Sequence, residues 1–87
     1  MPEVIADPAK LRQLAKTLSQ ASQQLEALTR QLQRSLDSTG WRGSERDRFE
    51  QDFKGALKTL SQLGDGLKTQ YVPDLQKKAE ALERFRA

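Results

Sequence analysis

Glu45, Asp47, Glu50 and Asp52 place four carboxylates within eight consecutive residues. Paired carboxylates are the usual equipment for general acid–base hydrolysis, provided a pocket holds their pKa values apart. Arg42, Arg46 and Arg48 interleave with these acids. The spacings Glu50–Lys54 (i, i+4) and Glu45–Arg48 (i, i+3) therefore read as ordinary surface ion pairs on a helix. The 87 residues include no His and no Cys, which removes the commonest general base, the thiol nucleophile and the usual zinc ligands. Ser19, Ser22, Ser35, Ser38, Ser44 and Ser61 have no base in an obvious arrangement. The residue types point to a protein that is not an enzyme, with no catalytic residues, no cofactor and no metal site.

Binding to nucleic acid is the next chemistry to weigh, because the formal net charge is +3 and the isoelectric point is near 9.5. Lys77, Lys78, Arg84 and Arg86 make the C-terminal segment basic, but Glu80 and Glu83 sit among them. A duplex-binding surface needs a concentrated basic stripe or a recognised motif, so no nucleic-acid partner is expected. No stretch approaches the roughly 18 apolar residues of a membrane span, which argues against membrane insertion. The first seven residues, Met1 to Asp7, have neither a basic n-region nor an apolar h-region. Export, if it occurs, is expected to proceed without a cleaved signal peptide.

The most distinctive residue is Trp41, in the segment Gly40-Trp41-Arg42-Gly43. Turns normally take small polar residues. A tryptophan there can plug the open end of a hairpin or present an apolar surface with its indole N–H at the edge.

Two long elements must position it. Asp7 suits an N-cap and Pro8 a first helical position. Leu11, Leu14, Leu18, Ala21, Leu25, Leu28 and Leu32 then recur at alternating steps of three and four, with Leu36 closing the run. That spacing predicts helix one over about 8–37, about 45 Å long. Gly40 suits a left-handed C-terminal cap, within a turn over 38–43. Ser44 and Asp47 resemble a capping box that opens helix two, over about 44–85. Its apolar stripe runs Phe49, Phe53, Ala56, Leu60, Leu63, Leu67, Tyr71, Leu75, Leu82, Phe85. Gly64 and Gly66 each cost about 1 kcal/mol in a helix interior, and Pro73 about 3 kcal/mol or more. The stripe nevertheless keeps phase across Pro73, so one long helix kinked near 73 is expected rather than two.

The fold expectation is therefore all-α, one helical hairpin domain over 1–87. A hairpin this small buries little surface and has no disulfide or zinc to staple it. Dimerisation is therefore expected. The core and dimer seam are assigned to Leu11, Leu14, Leu18, Leu25, Leu28 and Leu32 with Leu57, Leu60, Leu63 and Leu67.

Trp41-Arg42-Gly43 in a mid-chain turn, with Phe49 eight residues on and a long helix on either side, resembles the WXG-motif family. These are the small early-secreted-antigen-like substrates of type VII secretion. The resemblance implies a pairing of hairpins into a four-helix bundle, with itself or with a paralogous WXG-motif protein, and a recognition role for Trp41, Gly43 and Phe49. It also implies contact with a secretion ATPase or a larger effector, and a location outside the cell after a cytoplasmic stage. The family's C-terminal export signal places an acid four residues after a tyrosine. Here Tyr71 is followed by Asp74, one position early, and the fourth residue is Leu75. Tyr71 and Asp74 thus form a degenerate version of that signal. The competing reading is an intracellular coiled-coil adaptor whose Trp-x-Gly is coincidental.

Overall fold

Asp7 starts the first helix: its side chain accepts a hydrogen bond from the Ala9 N–H at 2.9 Å, and Pro8 follows at the first position. Helix α1 then runs unbroken over Pro8–Asp37. Ser38–Gly43 form the turn, and α2 covers Ser44–Gly66. A π-helical turn, Leu67–Tyr71, leads directly into α3, Val72–Arg86. The computed structural model describes residues 6–86. The expectations about a leader at the N-terminus and about the outer limits of the domain fall partly on residues outside that range. Among the described residues there is no strand. The molecule is a thin rod of 64 × 22 × 16 Å in which α1 packs against α2, the π turn and α3 in succession.

The capping box does not form. Gly43, not Ser44, is the N-cap of α2, and its φ of 115° is open only to glycine. It makes no side-chain cap, and its carbonyl accepts from the Asp47 N–H at 3.1 Å. Gly40 is left-handed, with φ 72°, but stands two residues beyond the C-cap Ser38.

Pro73 does not end the second helix. The helical disturbance lies just upstream, where the Val72 N–H bonds to the Leu67 carbonyl, five residues back. A π turn is wider than an α turn, which leaves room for the proline ring near the carbonyl of Thr69. The Thr69 hydroxyl donates to the Asp65 carbonyl at 2.7 Å inside the same turn.

The buried centre is built from small residues. Counting in sevens from Pro8 gives Ala15, Ser22, Thr29 and Leu36, all buried or half-buried. The opposing track is Leu57, Gly64, Val72 and Ala79. Ser22 Oγ donates to the Gly64 carbonyl at 2.7 Å in this seam. A Cβ on Gly64 would stand 3.5 Å from the Ser22 carbonyl and 3.6 Å from Leu25 Cβ, so the helices approach closely there. The assigned leucines flank this centre. Leu11, Leu18, Leu25 and Leu32 are half-buried, as are Leu57, Leu60 and Leu67, while Leu14, Leu28 and Leu63 are exposed.

Candidate functional site

The turn is tied down from both helices. The Thr39 hydroxyl donates to the Leu36 carbonyl at 2.8 Å and accepts from the Trp41 N–H at 3.1 Å. Arg46 in the first turn of α2 donates to Asp37 at the end of α1 at 3.1 Å and lies 3.6 Å from Glu50. These contacts fix the backbone on which Trp41 is carried. The indole then packs on Phe49 with ring centroids 5.5 Å apart, and Phe49 stacks on Phe53 at 5.3 Å. Trp41 stays 41% exposed and Phe49 44% exposed. The structure therefore brings Trp41, Gly43 and Phe49 together, Gly43 as the hinge into α2 and the two rings as an open aromatic platform. Tyr71 and Asp74 sit far along the second helix, about 40 Å from its start at 1.5 Å per residue. Tyr71 is 54% exposed, and Asp74 is exposed and paired with Lys78.

The helical registers decide where the other exposed apolar groups point. The buried tracks from Ala15 and from Gly64 occupy heptad position a on their helices, and Leu18 and Leu67 occupy d. Leu14 and Leu28 then fall at g on α1. Phe49, Leu63, Tyr71 and Phe85 fall at g on the second helix, once the π turn is counted as one extra residue. In an antiparallel hairpin the two g tracks lie on the same flank and the two e tracks on the other. Among the described residues, every large apolar side chain left exposed except Trp41 is at g, and Trp41 lies against Phe49 on that flank. The result is an apolar flank that runs from Trp41 and Phe49 past Leu28 and Leu63 to Leu14 and Tyr71, with Phe85 beyond the exposed Lys78 on the same track.

The opposite flank is polar. Arg12 and Glu83, both at e, bond across the hairpin there. The hydrogen bond from Arg12 holds the Glu83 carboxyl below the usual carboxylate range, and the Arg12 guanidinium is raised by the same bond. Further along, Glu26, Ser61, Asp65 and Lys68 line a small polar hollow over the Ser22–Gly64 contact. Among the described residues, no three acidic side chains gather in a way that could hold a metal ion, and no helix is long and apolar enough to cross a membrane.

Sequence reasoning missed Thr39, the Asp37–Arg46 tie and the small-residue seam. The seam had a readable signal, Ala15, Ser22, Thr29 and Leu36 at strict sevens, which a search for large apolar residues passes over. Of the known proteins compared, a family model described as proteins of 100 residues with WXG, WXG100, matches residues 3–84. No curated protein and no solved structure matches the chain.

Proposed function

The chain belongs to the WXG100 family, and on that premise we propose that it acts in type VII secretion as a folded, non-catalytic partner protein. Two hairpins pair through the apolar flank into a four-helix bundle, the second being another copy of this chain or a paralogous WXG-motif protein. The bundle is exported folded and without a cleaved signal peptide, alone or as escort to a larger effector. A secretion ATPase engages it on the cytoplasmic side. The observation that carries this reading is that Leu14, Leu28, Phe49, Leu63, Tyr71 and Phe85 are all exposed on one flank, with Trp41 packed on Phe49 at its end. Monomeric proteins rarely leave such a flank uncovered. Trp41, Gly43 and Phe49 form the recognition surface at one end. Tyr71 and Asp74 act as a weakened export signal, which fits a chain that relies on its partner for part of the address.

Trp41→Ala tests this. The indole packs on Phe49 at the tip and is 41% exposed, so the variant is expected to keep its helical circular dichroism and its sedimentation as a dimer. Its amount in the culture supernatant is expected to fall to the level seen when the membrane ATPase gene is deleted. Loss of helical structure would show that Trp41 is only a plug. A folded variant exported at the wild-type level would remove the recognition role from Trp41, and absence of the parent chain itself from the supernatant would favour the intracellular adaptor.

A further inference from the structure

The seam of α1 repeats every seven residues without interruption, from Pro8 to Leu36. The second helix does not. Its a track steps from Leu57 to Gly64 in seven, from Gly64 to Val72 in eight, and from Val72 to Ala79 in seven. Its d track does the same, with Leu60 to Leu67 in seven, Leu67 to Leu75 in eight and Leu75 to Leu82 in seven. Both eight-residue steps span the π turn Leu67–Tyr71. One residue advances an α-helix by about 100°. In an uninterrupted α-helix the residues facing α1 after Gly64 and Leu67 would be seven further on, at Tyr71 and Asp74. In the structure both are exposed, and Val72 and Leu75 are half-buried in their place. Ala79, the next a residue, is fully buried, so the correction carries through the rest of α3.

We propose that the π turn is a phase-correcting skip that turns Tyr71 and Asp74 out of the hairpin seam, setting Tyr71 on the apolar flank beside Leu63. The skip is set by the eight-residue spacing of the seam, not by Pro73. The presentation of Tyr71 and Asp74 then depends on α3 being packed on α1, because that packing holds Val72, Leu75 and Ala79 in the eight-residue phase that the wider turn supplies. The placement of Tyr71 against a partner rests on the pairing of hairpins proposed above, whereas the skip itself does not.

The test uses one-residue deletions in a Pro73→Ala background, so that the proline cannot confound them. Deleting Gln70 makes every interval seven. The skip predicts a regular α-helix with the same seam, and a thermal midpoint no lower than that of Pro73→Ala alone. Deleting Gln24, also exposed but inside the unbroken repeat of α1, puts half of that helix out of phase. Its midpoint is expected to drop by more than about 15 °C or its cooperative transition to disappear. If the Gln70 deletion is as damaging as the Gln24 deletion, the π turn is not a spacer. Tyr71→Glu in the otherwise natural chain tests presentation. It is expected to leave the unfolding midpoint of the separated chain unchanged and to weaken pairing at least tenfold. A large drop in that midpoint would place Tyr71 in the seam and overturn the proposal. Unchanged pairing in Tyr71→Glu, with pairing lost in Leu63→Glu, would overturn only the partner contact of Tyr71. Unchanged pairing in both would overturn pairing through the apolar flank and leave the skip standing on its deletions.

Discussion

Leu63 and Ser61 stand two residues apart on the same helix, on opposite flanks of the rod, and this makes a sharp test of which flank meets the partner. Leu63 is 51% exposed at g, on the apolar strip. Ser61 is exposed at e and lines the polar hollow with Glu26 and Lys68. Burying a leucine fully is worth about 1.5–3 kcal/mol, so covering the exposed half of Leu63 is worth about 1 kcal/mol. A glutamate there also forces a carboxylate against apolar side chains, which adds about 2 kcal/mol or more. Leu63→Glu is thus expected to weaken pairing by about 3 kcal/mol per substituted chain, roughly a hundredfold in Kd. Ser61→Glu adds the same charge where water remains, and is expected to stay within about 0.5 kcal/mol of the parent. Sedimentation over a concentration series reads the association, and circular dichroism on the same samples checks that both variants stay helical. If Ser61→Glu weakens pairing as much as Leu63→Glu, or if Leu63→Glu pairs normally, the apolar strip is not the interface.

Two further outcomes follow from the seam and from the cross-hairpin bond. At Gly64 a Cβ meets its neighbours at 3.5–3.7 Å, ordinary contact, so Gly64→Ala is expected to stabilise by up to about 1 kcal/mol through helix propensity. Gly64→Leu has no such room and is expected to destabilise by about 1–3 kcal/mol; thermal unfolding of the two variants should move in opposite directions. Glu83 has a folded-state pKa below its unfolded value, so its bond to Arg12 contributes stability above that unfolded value and loses it as the pH falls through the folded one. A carboxyl titration followed by NMR should show Glu83 below the usual carboxylate range in the parent and back within it in Arg12→Gln.

The helical hairpin was legible because its signals are local: a capping Asp7, a proline at the first position and apolar residues at helical spacing. The turn was legible in outline, since Gly40 and Gly43 bracket Trp41. What surrounds Trp41 was not, because the Thr39 hydroxyl and the Arg46–Asp37 bond act between residues whose types are common on any surface. The centre of the hairpin was hidden for a different reason. Hydrophobicity singles out Leu14, Leu28 and Leu63, yet close helix approach selects Ala15, Ser22, Gly64 and Ala79 for their lack of bulk. The glycine at 64 looked like a cost to the helix and is the point at which Ser22 reaches the opposing backbone.

That division between small and large residues bears on the pairing of hairpins proposed above. A seam of alanine, serine and glycine lets two helices lie close but removes little apolar area from water, and the gain from burial scales with that area. The bulky side chains, Leu14, Leu28, Phe49, Leu63, Tyr71 and Phe85, sit outside the seam on one flank. Phe85 is 88% exposed at the far end of α3, so its apolar surface has no cover among the described residues. A second hairpin laid antiparallel on this flank brings the Phe85 end of one rod beside the Trp41–Phe49 platform of the other. Covering Phe85 therefore also completes the surface around the WXG turn. On this arrangement folding, pairing and recognition share one strip of side chains. Phe85→Ala, though about 60 Å along the rod from the turn of its own chain, is then expected to raise the exposure of the partner's Trp41, read as a red shift in its fluorescence. An unshifted spectrum in a variant that still pairs would show that the hairpins lie parallel, turn beside turn.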